Sequence, residues 1–400
     1  MTTWAIRNAC AVTPSSIIDD ATIVAEDGVI VSIVERGAAP IHCIDARGAF
    51  CLPGLIDSHS DGLEKELAPR PGAHFPAAFA LQSFEGRVRA AAVTTVYHGI
   101  GFEEDERKER TIAQAIELSD AIQHRRTGGH AMIDHRLLYR LDARDPAGLT
   151  ALTHRLPTDD HADALPLVSF EDHTPGQGQY QDTSYFVQWL VGSKHITEAE
   201  AIAQVAERRR QRDLHLDQRS LAAAWLGDEA REGRIRLMAH DPANHEDVAA
   251  AVSISALVAE FPTTIESARA AIESGLTTVM GAPNVLRGRS HSGNVSAREL
   301  IANGLCTGLA SDYLPSTMLA AAFVLAEQNV VALPDAVRLV TDGPARVVGL
   351  ADRGRLEAGY RADAALVTVD HHWPTVRAVL TAANHDHATA QVGRLTGSNR

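Results

Sequence analysis

From about residue 52 to residue 310, short apolar runs alternate with stretches of helical periodicity, which is the βα rhythm of a parallel sheet covered by helices. The runs are Leu52 to Asp57, Val93 to His98, Ala131 to Leu138, Leu165 to Phe170, Ile235 to Ala239, Ala256 to Ala259, Leu276 to Met280 and Leu305 to Ala310. Eight runs match the strand count of a closed barrel, so the pattern predicts an α/β fold built on a TIM-like (β/α)8 barrel. Helix punctuation falls between them. Thr263 with Glu266 and Ser296 with Glu299 read as capping boxes, and Gly275 and Gly304 read as stops.

The two ends of the chain are patterned differently. Thr22 to Ala25 and Val29 to Val34 flank Asp27-Gly28, a pair that favours the positive φ of a tight hairpin turn. Ala364 to Val369 and Val376 to Leu380 supply further β-rich runs. A two-stranded ribbon is marginal alone. Residues 1–51 and 354–400 are therefore expected to form one small composite β domain beside a barrel over 52–353. A helical excursion at about 177–233 breaks the rhythm, being too long for a βα connection. Thr197 and Glu200 form a capping box within it. Its Arg208, Arg209, Arg210 and Arg212 read as a solvated helix face rather than a polyanion site.

Charge and composition then exclude several classes. Lys+Arg 37 against Asp+Glu 51 gives a net charge of −14, which disfavours non-specific binding to nucleic acid or to an anionic membrane. No apolar run reaches the roughly 18 residues of a membrane span, and the start of the chain has no basic segment followed by an apolar one. Four scattered cysteines without Cys-x-x-Cys spacing signal neither a disulfide framework nor a thiolate metal site. The expected setting is cytoplasmic and the expected partner a small molecule, with homo-oligomerisation left open.

Nineteen histidines change the picture, because most strand runs end in a group that binds metal or moves a proton. In order these are His59 with Asp61, His98, His135, Asp172 with His173, His240 with Asp241, Glu260, and Asp312. The C-terminal strand ends of a barrel gather at one rim, so these residues are expected to meet there. His59 and Asp61, at i and i+2 of a strand, point the same way and suit one cation. Asp172 is the expected ligand of the fourth strand, and a register slipped by one hands that role to Glu171 and His173. His240 is a ligand on this reading. Glu260 is either a ligand or an aid to the following helix start. Asp312 is a ligand and the acceptor of a proton from water, with His173 as a second proton carrier. A set of imidazoles and carboxylates without thiolate suits a divalent metal, with zinc leading and manganese, iron or cobalt as alternatives, as one or two ions. Candidate substrate contacts are Lys65 and Arg70 after strand one, His135, and Asn284, Arg287, Ser290, His291, Ser292 and Asn294 after strand seven. Cations and hydroxyls in these loops of an acidic chain favour an anionic substrate of the phosphate type.

The frame Leu52-Pro53-Gly54-Leu55-Ile56-Asp57-Ser58-His59, the helix start Thr341-Asp342-Gly343-Pro344-Ala345-Arg346 and Gly359-Tyr360-Arg361-Ala362-Asp363-Ala364 resemble the amidohydrolase superfamily. More narrowly, five motifs look like the family of diphosphatases that act on alpha-D-ribose 1-methylphosphonate 5-triphosphate in phosphonate use. They are His59 to Glu64 with Pro69 to Gly72, Asp172 to Gln177, Ala259 to Thr264, Met280 to Asn284 with Ser290 to Asn294, and Ser311 to Tyr313. The resemblance implies a metal-dependent release of pyrophosphate that leaves the 5-phosphate, and a phosphorylated ribose as substrate. Two positions depart from the wider superfamily: Asp61 replaces the second histidine of the usual pair, and Glu260 stands where strand six often ends in histidine. Hydrolysis of a cyclic amide or amine, action on another phosphorylated ribose, and a non-catalytic scaffold are the competing readings.

Overall fold

A computed structural model describes residues 3–39, 43–70, 72–105, 109–161, 164–178, 183–290 and 293–382. Two sheets organise the chain. The strands β1 (Thr3–Val12), β2 (Ile17–Glu26), β3 (Val29–Glu35), β4 (Ile44–Asp45) and β5 (Phe50–Pro53) come from the start. Eight further strands follow: β6 (Leu55–Ser60), β7 (Val93–Phe102), β8 (Asp134–Asp142), β9 (Leu167–Glu171), β10 (Arg236–His240), β11 (Val258–Glu260), β12 (Thr277–Gly281) and β13 (Gly308–Ala310). They lie in sequence order in an eight-stranded sheet, parallel where the register is defined, with helices between them, and this is the predicted (β/α)8 architecture. The strands β14 (Ala364–Asp370) and β15 (Trp373–Leu380) return to the first sheet, whose order is β15-β14-β5-β1-β2-β3 with β4 on β1. A sheet drawn from both termini was the expectation. By contact density the chain divides into two compact units, Met1–His98 with His124–Arg136 and Gly308–Arg400, and Gly99–Gln123 with Leu137–Thr307.

In the terminal sheet, β2 and β3 pair antiparallel across Asp27 and Gly28, at φ 45° and 80°. Both turn residues are left-handed, which is the two-residue hairpin their sequence predicts. Alternate residues such as Ile6, Ile23, Ile30, Cys51 and Leu366 are buried into one apolar cluster. The run expected as Leu52 to Asp57 is cut in two at Pro53-Gly54. Phe50–Pro53 pairs with β14, and β6 starts at Leu55. The cut is steric: a Cβ on Gly54 would lie 2.2 Å from Thr94 Oγ1, so only glycine lets the chain pass from one sheet to the other.

The capping predictions divide. Thr197 and Glu200 form the expected box on Glu198–Asp213. The box read at Thr263 slides by one residue: Thr264 caps Ile265–Glu273 with Ser267 as its partner, while Thr263 is buried. Ser296 does not cap with its side chain, because its hydroxyl donates to the Gly288 carbonyl and the Ala297 amide goes to Asn284 Oδ1 instead. The excursion holds three helices, Thr183–Lys194, Glu198–Asp213 and Leu216–Arg231. Of its arginines, Arg209 and Arg210 are exposed, as a solvated face requires. Arg208 and Arg212 turn inward, to Asp105 and to Asp142 and Asp172 respectively.

Candidate active site

In the unit that holds the chain ends, β6 and the segment after β13 are laced together. Asp312 N donates to His59 O at 3.0 Å, Asp61 N donates to Asp312 O at 2.6 Å, and Ser60 bridges Asp312 in parallel register. This lacing puts His59, Asp61 and Asp312 together, with one donor atom of each within 4.8 Å of the others. His59 Nε2 stands 3.3 Å from Asp61 Oδ1, and the histidine is buried. One imidazole and two carboxylates at this spacing could hold a divalent cation. Sequence reasoning gave no role to Asp57, which lies beneath the set. Its Oδ1 accepts the amides of Ser311 at 2.9 Å and His59 at 3.4 Å, and burial pushes its pKa up to about 6. Its recognisable signal was an acid two residues before His59 on the same strand, where alternate residues share a face.

The other unit carries a second set at the ends of β9, β10 and β11. Glu171, His173 and His240 bring one donor atom each within 4.8 Å of the others. Strand alternation explains the choice of residues: β9 ends at Glu171, so Ser169 and Glu171 share a face. Ser169 Oγ donates to Glu260 Oε2 at 2.7 Å, and His240 Nδ1 lies 2.7 Å from the same oxygen. Glu260 is thus wholly buried and oriented toward His240, and it does not serve the following helix start, which Thr264 caps. A carboxylate on Nδ1 is the usual device that fixes the tautomer of a metal-binding histidine and leaves Nε2 for the metal. Burial pushes the His240 pKa down, but Asp241, Glu171 and Glu260 outweigh it and hold it at about 9. Three acids around one imidazole therefore call for a cation, which a proton supplies here and a metal ion could supply in its place.

The fourth-strand ligand needs a correction. Asp172 lies past the end of β9 and is held by guanidinium groups, with Arg144 at 3.0 Å, Arg219 at 3.2 Å and Arg212 at 3.4 Å. Glu171 and His173, the residues of the register slipped by one, are the ones that meet His240. Glu171 is not simple either. Arg140 grips it with two hydrogen bonds, of 2.7 and 3.1 Å, and with His240 overcomes burial to lower its pKa. Arg140 was not foreseen, because its partner lies on the neighbouring strand.

The backbone turns left-handed just past three of these strands. Asp241 directly after β10, Phe261 directly after β11 and Asp312 shortly after β13 have φ of 53°, 53° and 56°. Twelve other described non-glycine residues share this backbone, many of them in turns of the terminal sheet, so the conformation accompanies the site without singling it out.

The expected substrate contacts are placed unevenly. His135 is corrected: β8 runs on to Asp142, so His135 sits near the start of its strand, fully buried, with Nδ1 2.9 Å from His98 Nε2 and Nε2 3.4 Å from Glu85. Its side chain is enclosed between His98 and Glu85. Lys65 is exposed and lies 4.9 Å over the Tyr313 ring, and Arg70 is exposed on its turn. After β12, Asn284 lies on the short helix Ala282–Arg287 and is engaged with Val295 O and Ala297 N, while Arg287, last before the following loop, donates from Nε to Pro283 O. Ser290 and Asn294 lie half-buried in that loop, while His291 and Ser292 fall outside the described residues. Among the described residues, no helix is long and apolar enough to cross a membrane.

Comparison with known proteins bears on the family and the fold. A model of the amidohydrolase family matches residues 63–371. The chain is 34% identical over 367 residues to the alpha-D-ribose 1-methylphosphonate 5-triphosphate diphosphatase of Escherichia coli (strain K12), covering 87% of this chain and 93% of that protein. Among solved structures, a putative prolidase from Bifidobacterium longum superposes with a TM-score of 0.60 at 16% identity, over 98% of both chains. N-isopropylammelide isopropylaminohydrolase from Burkholderia multivorans gives a TM-score of 0.56 at 18% identity, over 96% of this chain and 97% of that one. At such identities the structures speak for the fold alone. The family match and the identity to the diphosphatase establish that this chain belongs to the amidohydrolase family.

Proposed function

We propose that this chain hydrolyses alpha-D-ribose 1-methylphosphonate 5-triphosphate to the 5-phosphate and pyrophosphate, with a divalent metal as cofactor. The observation that carries the reading is the convergence of His59, Asp61 and Asp312 through the backbone lacing of β6 to the segment after β13. The similarity to the Escherichia coli diphosphatase supports the choice of substrate. A bound divalent metal lowers the pKa of water from 15.7 to about 7 and neutralises charge on phosphoryl oxygens.

The residues divide the remaining work. His59 and Asp61 would hold the ion in the first set, with Asp57 bracing the backbone of His59 and Ser311. Asp312 accepts the proton of the attacking water, a role that its strained backbone and fixed amide keep in place. His240, oriented by Glu260, would be the metal ligand of the second set, which lies in the other unit. Lys65 and Arg70, exposed in the same unit as the first set, supply positive charge to the phosphorylated ribose.

The test is pyrophosphate release from the ribosyl triphosphate, measured on the protein with metal, after complete chelation, and after metal return. Release that vanishes and recovers supports the reading. Unchanged release from a metal-free protein would falsify it. Ammonia or a ring-opened product from a cyclic amide, in place of pyrophosphate, would move the chain to a different branch of the same family.

A further inference from the structure

A cavity of about 350 Å³ opens beside the end of β10, within the unit that carries the second set. His240 and Asp241 form one wall, Gln177 and Gly178 a second, and Arg219 with Ser220 of the helix Leu216–Arg231 a third. The volume lies at the small end of the range for ligand pockets. The close fit of its walls shows at Gly178, where φ is +49° and a Cβ would come within 2.8 Å of the Asp241 Cβ.

Arg219 is the group in this cavity that a ligand could recruit at least cost. Its guanidinium is about two-fifths exposed, stacks 5.6 Å over the Phe170 ring and meets Asp172 Oδ2 at 3.2 Å. That carboxylate has ample other partners: Thr174 donates to Oδ1 through its amide and its hydroxyl, Arg212 reaches Oδ1 at 3.4 Å and Arg144 reaches Oδ2 at 3.0 Å. Arg144 and Arg212 also have second carboxylates, Asp213 and Asp142, each at 2.8 Å. If Arg219 turns to an incoming oxyanion, neither Asp172 oxygen is orphaned, so the exchange avoids the penalty of stranding a buried charge. Asp241 and Asp247 also line the cavity. Their charge disfavours a bare polyanion and favours one that arrives with its own divalent cation.

We propose that this cavity takes the diphosphate end of a polyphosphate as its magnesium complex, with Arg219 as the residue that recognises the phosphoryl oxygens. The inference rests on the function proposed above and deepens it: it moves terminal-phosphate recognition from the segment after β12, whose Arg287 is engaged with Pro283 O, to the helical excursion. Arginine suits the task because its planar fork binds two phosphoryl oxygens at once, which lysine cannot do.

Calorimetric titration of the full chain with magnesium pyrophosphate tests it. The native protein should bind, pyrophosphate without magnesium should bind more weakly, and Arg219→Ala should lose at least about tenfold in affinity, the scale of one charge-assisted contact. Arg219→Gln, which keeps the helix surface polar, should lose as much, and Arg219→Lys should recover only part. The same variants should raise KM for the ribosyl triphosphate more than they lower kcat. Arg219-dependent binding of magnesium pyrophosphate in a protein that does not turn over the triphosphate would keep the subsite and refute the proposed reaction. Native affinity in correctly folded Arg219→Ala and Arg219→Gln, or no binding by the native protein at millimolar magnesium pyrophosphate, would overturn the subsite.

Discussion

Two buried histidine clusters, built from the same residue types, behave oppositely. Around His240 stand Glu171, Glu260 and Asp241, and the imidazole is held cationic with its pKa near 9. Around His98 stand the Phe84 ring and His135, with Glu85 reached only through His135; burial and the neighbouring imidazole push its pKa well below 6.5. Both histidines are almost entirely out of solvent, so desolvation does not separate them. Direct contact with acids does. The first cluster has an excess of negative charge that a proton or a metal ion must fill, and the second is already balanced, because Arg125 pairs with Glu85 at 2.6 Å. A buried histidine thus marks a candidate metal position when acids outnumber cations around it, and marks core structure when they do not.

The sharpest way to break that comparison is to remove each imidazole in turn. His240→Ala should lower kcat/KM for pyrophosphate release by about 10³ or more, the equivalent of the several kcal/mol a bound metal supplies, and should reduce the metal retained after gel filtration. His98→Gln should leave metal content unchanged and activity within a few-fold. Equal losses in both would erase the distinction. Next in size is the effect of Arg140→Met. It leaves Glu171 buried without its bidentate partner, and breaking such a pair costs about 3–5 kcal/mol. Denaturant midpoints should report that loss. Glu171→Gln in the Arg140→Met background should restore part of it, because the stranded charge is then gone.

How much of this was legible beforehand depends on the range of the interaction. The eight-strand rhythm and the Asp27-Gly28 hairpin are local patterns, and the sheets contain them. His59 with Asp61 is also local, a strand spacing of two. Placements that depend on where a strand ends were lost by small shifts: β8 continues to Asp142 and leaves His135 in the core, and Thr264 rather than Thr263 caps its helix. Arg140 on Glu171 and the three arginines on Asp172 join residues from different elements. Periodicity carries no information about such pairs, because a guanidinium several Å long can reach a neighbour on any adjacent strand or helix.

The remaining tests are smaller and probe the charge balance itself. Because His98 is depressed below 6.5 in the folded chain, the unfolded chain binds the extra proton, so the stability it secures is complete above pH 6.5 and lost as pH falls below that value. The slope contributed by one group is at most about 1.4 kcal/mol per pH unit. His98→Gln should therefore flatten the fall in thermal midpoint between pH 6.5 and 5.5, and an unaltered slope would show that His98 takes up its proton in the folded state.

Ser169→Ala should give the smallest effect, and it separates the two roles of Glu260. Ser169 Oγ and His240 Nδ1 both donate to Glu260 Oε2, so deleting the hydroxyl removes one neutral hydrogen bond while the charged one persists. The stability cost should be about 1 kcal/mol, the ordinary net value of such a bond. The effect on metal retention should be larger in proportion, because a Glu260 with one support fewer fixes the His240 ring less firmly, and outer partners of a metal-bound histidine typically change affinity by about 10–100-fold. A variant that loses stability but binds metal as the native chain does would confine Ser169 to a structural role and would leave His240 oriented by Glu260 through the charged bond alone.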